Sequence, residues 1–577
     1  MIVTFLFFRL SSSNDLTIPL PITILPPDRV RSLDNTPFSK ADHTMFDREQ
    51  FQRKADFRGV YPNQLNEELA YHVGRYLVQY VAHETGSSSP AILVGRDGRT
   101  SSTAIYRSVI DGIAEAGGHP LCCGLATTDM VQWGTGMQLQ GAIAGVMITA
   151  SHNPPEYNGI KMLLRNPETE SIDIVRPVDH LKPYWEKDGD GAEAPPTERL
   201  PYPTGGRLSL HQDFVDAACE RAERLASATG SIVLDPGNGV GGIFIPLMKK
   251  VFAEQGAEVE LRSIFAEIDG RFPNRPSNPG LPGAVAELQK VVVETKSAFG
   301  AALDGDADRV FLVDEKGTFV PGSQLLAALA TIALKRRGPG AVVFAAVSSF
   351  KVIEAIRQEG GTPIFCRVGQ DAAKVALIKT NAVFGGESSA HYNFPDTYCL
   401  DSGLFALMMF WDELLASGKT CSEALASSAS WPNSGEVNLR IECGNWKEMS
   451  RQVIAMLEKE YSSPSANCYI TQLDGIGVYH PKVAELPTSE DLFTVDPVGD
   501  PNGTIYRIIA DGYTPDWWFN VRASNNEPLL RVNFESQDAS NLNAQSLDLI
   551  ARINKFCKAN NAVLKVENPG TLSITLD

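Results

Sequence analysis

The sequence predicts an α/β protein made of three related strand–loop–helix units and a less repetitive fourth segment. Three observations predict it. Apolar, strand-like residues run into a Gly- or Ser-containing loop and then a helical pattern at AILVGRDGRTSST from residue 91, SIVLDPGNGVGG from residue 231 and AVVFAAVSSFKVIEAI from residue 341. The chain has 577 residues, more than one hydrophobic core organises, so three or four domains are expected. Its composition, 43% hydrophobic and 21% charged, is ordinary for a globular chain, and no apolar run approaches the ~20 residues of a membrane span.

Taken in order, residues 1–44 read as an N-terminal extension. The apolar run VTFLFF is followed by Arg9, a serine cluster and a proline-rich stretch; it is shorter than a signal-peptide core and no A-x-A-like site follows. A disordered extension or an organelle-targeting stretch is expected, with Met45 a natural beginning. Residues 45–200 form the first domain and end in an acidic, Pro- and Gly-rich linker at 186–207. Residues 201–310 form the second, closed by DGDADR between two strand-like runs. Residues 311–430 form the third and 431–577 the fourth.

The formal charge of −18 disfavours nucleic acid and anionic membranes as partners, so an anionic substrate would need a local basic pocket. Nine scattered cysteines without a CxxC pair make neither a disulfide framework nor a zinc site, and indicate a reducing compartment, taken as cytoplasmic.

Two runs carry the chemistry. Ser151, in TASHNPPEYNGIKM, lies at a strand-to-loop junction where a serine can carry a phosphoryl group, and Asp304, Asp306 and Asp308 alternate in a way that can hold the neutralising cation. Together they suggest phosphoryl transfer. The aspartates also fit positions 1, 3 and 5 of a calcium loop with Glu315 at position 12, but Arg309 stands where an EF-hand needs glycine; a solvated acidic turn is the plainer alternative. GNGVGG at 237–242 satisfies a dinucleotide-binding pattern, although Asp235 beside it would repel a pyrophosphate, and a tight turn explains the glycines equally well. Glu387, Ser389 and His391 alternate in a Gly-led loop that suits a polyhydroxyl ligand or is simply exposed. Arg522 and Arg531 flank Ser524, Asn525 and Asn526 in a turn between strands, either an anion cradle or an ordinary hairpin loop.

Four such runs in this order resemble the alpha-D-phosphohexomutase superfamily in its bacterial-type phosphomannomutase/phosphoglucomutase form. The lesser runs ADFRGVYPNQL and LVGRDGRTSS join them, and the resemblance covers roughly residues 50–560. It implies a heart-shaped architecture of three mixed-sheet α/β domains plus a C-terminal α+β domain. It implies that Ser151 is a phosphoserine flanked by His152 and Asn153, and that Asp304, Asp306 and Asp308 bind Mg²⁺ with it. Lys161 matches the general acid/base, and Arg58 and Arg309 match basic residues around the transferring group. Glu387, Ser389 and His391 match the sugar-binding loop, and Arg522, Ser524, Asn525, Asn526 and Arg531 match the grip on the second phosphate. The implied reaction interconverts mannose 1-phosphate and mannose 6-phosphate, with the glucose phosphates as further substrates, and a hexose 1,6-bisphosphate primes it. Hexose phosphates are then the only partners expected beyond self-association, as monomer or homodimer. A phosphoglucomutase and a sugar-phosphate phosphatase are the alternatives. The chain departs from the family pattern at Ala55, Gln370, Ala390 and Asn526, and by an apparent insertion at 480–505 read as a surface excursion.

Overall fold

The computed structural model describes residues 48–188, 209–524, 527–574 and 576. The expectations for residues 1–44, for most of the 186–207 linker and for Asn525 and Asn526 lie outside the described residues. Four sheets follow one another along the chain. The first runs in the order Phe57–Val60, Tyr157–Arg165, Ala144–Ile148, Ala91–Arg96, His119–Leu125, with Ile172–Val175 also on Tyr157–Arg165. Its Ala91–Arg96 strand is parallel to both neighbours, whereas Tyr157–Arg165 is antiparallel to Ala144–Ile148, so the sheet is mixed. The second centres on Thr229–Asp235, parallel to Glu258–Ser263 and Phe299–Leu303, and the third on Ala341–Ala345, parallel to Thr362–Cys366 and Phe384–Gly386. This recurrence is the one expected from the three strand–loop–helix runs.

Local sequence explains these elements. The helix Glu67–Thr85 starts at Asn66, whose side chain accepts from Leu69 N–H, and stops at Gly86 in the left-handed conformation. It crosses Ser102–Glu115 at bare backbone: a Cβ on Gly112 would stand 2.0 Å from the Tyr71 carbonyl oxygen, and one on Gly74 2.3 Å from that of Val109. Helix Gly403–Ser417 (GLFALMMFWDELLAS) is apolar all round from Gly403 to Trp411 because every one of those residues is buried; Phe405 meets Phe214 and Trp411 meets Phe252, which joins the third unit to the second. Among the described residues no helix is long and apolar enough to cross a membrane.

The fourth sheet is antiparallel throughout, ordered Tyr469–Thr471, Ile476–His480, Trp517–Ala523, Leu529–Ser536, Asn433–Glu442, Val563–Asn568. Val437, Val521, Val532 and Phe534 turn one face into a core completed by Val453 and Ile550 on helices Trp446–Tyr461 and Ala539–Ala559, while on the other face Tyr479, Trp518 and Glu535 are buried against the third unit and Glu436, Arg522 and Arg531 line a cavity.

The 480–505 stretch corrects the reading of a simple surface excursion. Phe493–Thr494 and Tyr506–Ile509 add two strands to the third sheet through Thr362–Cys366, although they come from the segment the sequence assigns to the fourth domain. The reason is apolar: Leu492 and Phe493 are buried, and Tyr506 just beyond them is fully buried with Ile364, Cys366 and Leu377, while most of the remaining stretch, Val498 at 90% above all, lies at the surface as expected.

Candidate active site

One cleft draws on all four sheets. A cavity of about 420 Å³ is lined by Arg58, Ser151, Lys161, Asp308, Gln370 and Asp401 among others, and a second of about 550 Å³ by Glu387, Ser389, Glu436, Arg522 and Arg531. His152, Arg309 and His391 line both, so the two adjoin.

Ser151 sits just past the strand Ala144–Ile148 with φ at +49°, a left-handed conformation that costs a non-glycine residue ~1–2 kcal/mol. What holds it there is Arg99. Its guanidinium is fully buried and donates to the carbonyls of Ser151 (2.8 Å), Asn153 (2.6 Å), Pro154 (2.6 Å) and Tyr157 (3.0 Å) while pairing with Asp97 at 3.1 Å. Arg58 adds bonds to the Ala150 carbonyl (2.8 Å) and Asn153 Oδ1 (2.7 Å), steadied by its ion pair with Asp56. The loop so gripped directs Ser151 Oγ to Asp304 Oδ2 at 3.0 Å.

Asp304, Asp306 and Asp308 lie between the antiparallel strands Phe299–Leu303 and Val310–Asp314, not between helices, and Glu315 binds Ser422 instead of the loop, so the EF-hand falls away. Gly305 is required by proximity, since a Cβ there would stand 2.5 Å from the Ser151 carbonyl oxygen. The three carboxylates are buried, with ligand oxygens within 4.8 Å of one another, and Asp306 Oδ1 and Asp308 Oδ1 have no hydrogen-bond partner. Oxygens so arranged fit a small hard cation such as Mg²⁺. The electrostatics agree. Burial, then the neighbouring Asp308 and Asp306, push the Asp304 carboxyl well above its usual range. Burial would also raise Asp306, but Lys161 and the Thr128 hydroxyl overcome it and hold that carboxyl down.

Lys161 Nζ bridges Asp306 and Asp308 at 2.8 Å each. Burial works against its ammonium, yet the two carboxylates prevail and its pKa is raised. A general acid/base works best with a pKa near neutrality, whereas these neighbours hold the charge in place. His152 accepts from Arg309 Nη2 at 2.8 Å, and that guanidinium, with burial, keeps its imidazole neutral.

The sugar-loop candidates come together in part. Glu387 accepts from Gly369 N–H at 3.1 Å and from Ser389 Oγ at 3.1 Å, whereas His391 turns to the metal loop and pairs through Nδ1 with Asp401. Gln370 is oriented by Asn393, whose Nδ2 donates to its Oε1 at 2.8 Å. At the far end Arg522 and Arg531 are cross-strand partners in a hairpin, both paired with Glu436, and Ser524 N–H closes onto the Leu529 carbonyl at 2.9 Å. GNGVGG proves to be a packing turn. Arg275 fills the space beside Gly237, paired with Asp235 at 2.8 Å and bonded to the Leu303 carbonyl at 2.7 Å, so a pyrophosphate has no room.

Sequence reasoning missed Arg99, Thr128, Asp401, Glu436 and Asn533. Arg99 left a signal in the GRDGRTSS run; the others are brought in by sheet register or by helix packing from distant parts of the chain.

A four-domain fold with a left-handed serine over a buried acidic loop and a distant arginine pair defines a phosphohexomutase type of protein. The chain belongs to the phosphoglucomutase/phosphomannomutase family: the models of its alpha/beta/alpha domains I, II and III match residues 49–173, 212–317 and 321–430, and that of its C-terminal domain matches 492–551. Phosphomannomutases of Escherichia coli and Vibrio cholerae are each 28% identical, over 501 and 510 residues, covering 86% and 87% of this chain and 97% of each relative. Phosphohexose mutases of Xanthomonas campestris are 29% identical over 500 residues, 86% of this chain and 97% of theirs. Among solved structures, a phosphoglucomutase/phosphomannomutase family protein from Burkholderia thailandensis superposes with TM-score 0.63 at 24% identity, covering 88% of this chain and 98% of that one. The open form of a Paramecium phosphoglucomutase gives 0.61 at 16%, covering 89% and 97%. The chain is a phosphotransferase of the mutase kind.

Proposed function

We propose that the chain interconverts hexose 1-phosphates and hexose 6-phosphates, with mannose as its principal sugar and glucose also accepted, through a phosphoserine at Ser151 and a hexose 1,6-bisphosphate. The observation that carries this reading is the two-ended cleft. Ser151 and the buried carboxylates stand at one end, Arg522 and Arg531 at the other, and Glu387, Ser389 and His391 lie between. A phosphatase would need only the first end. The named phosphomannomutases among the relatives support mannose.

In the first half-reaction the free hydroxyl of the sugar monophosphate attacks the phosphorus on Ser151. A new P–O bond forms in line with the Ser151 Oγ–P bond that breaks; the attacking hydroxyl gives up one proton and Oγ takes up one, so the half-reaction is neutral in protons. Lys161 lines the same cavity and is the proposed proton carrier, giving a proton to Oγ as the ammonium and taking the hydroxyl proton as the amine, against the raised pKa that Asp306 and Asp308 impose. Arg58 and Arg309 face the equatorial oxygens, and His152, kept neutral by Arg309, holds that guanidinium in place. A Mg²⁺ ion held by Asp304, Asp306, Asp308 and Ser151 would supply charge neutralisation to the group in transfer. The bisphosphate then turns end for end, and its other phosphate returns to Ser151. Glu387 and Ser389, as acceptor and donor to sugar hydroxyls, suit two orientations because they read no single end.

The test is phosphorus NMR of mannose 1-phosphate and glucose 1-phosphate with a trace of hexose 1,6-bisphosphate, with and without Mg²⁺, for the wild type and Ser151→Ala. Expected is Mg²⁺-dependent conversion to 6-phosphates, faster for mannose and lost in the variant. Release of inorganic phosphate, or conversion that survives in Ser151→Ala, refutes the proposal.

A further inference from the structure

The cleft-facing end of the fourth sheet carries a carboxylate among its cations. Register sets Arg522 opposite Arg531, and sets Asn533, two residues on, opposite both Asn520 and Glu436. Alternation puts all of them on the face turned away from Val437, Val532 and Phe534. Glu436 Oε1 accepts from Arg531 Nη1 at 3.0 Å and its Oε2 from Arg522 Nη2 at 3.4 Å, so one carboxylate bridges both guanidiniums. Its side chain is 34% exposed on the cleft side, against 15% for Arg522 and 29% for Arg531. Arg522 Nε, Arg531 Nε and Asn533 Nδ2 are nonetheless buried donors without a partner. Buried donors left unpaired are costly, and these line one cavity. Their geometry calls for an anion in addition to Glu436.

We infer that Glu436 is a resident counter-charge of this cradle, a positioning residue that braces the two arginines when no phosphate is present and weakens their hold when one is. This deepens the reading proposed above and rests on it. Two guanidiniums facing a phosphate dianion in a partly buried cleft bind it strongly, through charge-assisted and bidentate bonds. A doubly phosphorylated intermediate that has to exchange its ends needs each grip to be reversible, because ground-state binding that is too strong slows the next step. Glu436 supplies the repulsion. It shares the Nη atoms with the incoming phosphate and leaves the Nε and Asn533 donors as the phosphate's own.

The experiment is calorimetric titration of inorganic phosphate into the full chain, in wild type, Glu436→Gln, Glu436→Asp and Arg522→Ala, at fixed ionic strength. Removing the charge tightens phosphate roughly fivefold in Glu436→Gln, the size expected for one partly screened unit charge close by. Glu436→Asp keeps the charge and stays within about twofold of wild type, and Arg522→Ala binds much more weakly. In turnover, Glu436→Gln lowers KM and kcat together, the pattern of an over-stabilised ground state. Unchanged or weaker phosphate binding in Glu436→Gln overturns the inference, as does equal tightening in Glu436→Asp, which would assign the effect to shape instead of charge. Wild-type binding in Arg522→Ala removes the cradle, and the inference with it. Tightening in a protein that converts no sugar phosphate upholds Glu436 and refutes the activity instead.

Discussion

Replacing Arg99 with Met tests how Ser151, the proposed phosphoryl carrier, is held. The guanidinium lies at 0% exposure and makes four bonds to carbonyls of the Ser151 loop besides its pair with Asp97. Methionine fills much of the space and restores none of these bonds. Each buried carbonyl left unpaired costs about 1–3 kcal/mol, and breaking one side of a buried ion pair costs about 3–5 kcal/mol. The contributions overlap, because water can enter the loop and Asp97 keeps its bonds from Ser102 Oγ and the Arg99 N–H. About 4 kcal/mol is therefore the expected loss. The left-handed Ser151 is where it shows first: without the clamp the loop relaxes, Oγ leaves Asp304, and transfer slows. Urea unfolding should show the lost stability. Steady-state assays of mannose 1-phosphate conversion should show kcat down by at least about tenfold, equivalent to 1.4 kcal/mol of transition-state stabilisation. KM should change little, because Glu387, Ser389, Arg522 and Arg531 are far along the cleft. Arg99→Lys should be nearly as damaging, since an ammonium cannot fork to four carbonyls. Stability within about 1 kcal/mol of wild type together with an unaltered kcat would falsify the clamp.

Two further outcomes concern pH. His72 is buried, and burial, aided by the nearby Arg75, lowers its pKa to about 4. The unfolded chain therefore binds the extra proton between about 6.5 and 4, stability declines as pH falls through that window, and the cost reaches on the order of 3 kcal/mol by pH 4; urea unfolding of His72→Phe should lose this slope. Glu535 behaves in the opposite sense. Burial raises its carboxyl to about 7 although it accepts from Ser349 Oγ, Phe350 N–H and Trp518 Nε1. Its contribution is complete below about 4.5 and is lost as pH rises through 7. Because it joins the fourth sheet to the start of helix Phe350–Gln358, Glu535→Gln should flatten unfolding curves between pH 5 and 8. A slope that survives in either variant places the titration elsewhere.

The amino-acid sequence by itself determined the repeating strand–loop–helix units, the serine loop, the acidic loop and the position of the arginine pair in a hairpin. These are local properties: periodicity of apolar residues, turn chemistry and short runs of functional side chains survive in one dimension. The family follows from them, since four such runs in order are improbable otherwise. The third sheet's outer strands could not be read that way. Tyr506–Ile509 pairs with Thr362–Cys366, more than a hundred residues earlier, and Phe493–Thr494 adds on outside it; nothing in their own alternation names that partner. GNGVGG shows the converse, a run whose pattern suits a cofactor until Arg275, forty residues away, is seen to fill the turn.

The protonation states belong to the tertiary structure too. Lys161 is named by the family resemblance as a general acid/base, and only the fold puts it between Asp306 and Asp308, where its charge is held. Arg99 reads as one more residue of a Gly-rich run, and only burial against four carbonyls makes it the support of Ser151. Glu436 carries no motif. Its place over two arginines depends on which strands lie side by side, and a low-dielectric cleft then gives that pairing its strength. Composition and pattern specify which groups are available; distance and burial decide what each group does, because electrostatic and hydrogen-bond energies depend on both and neither is written along the chain.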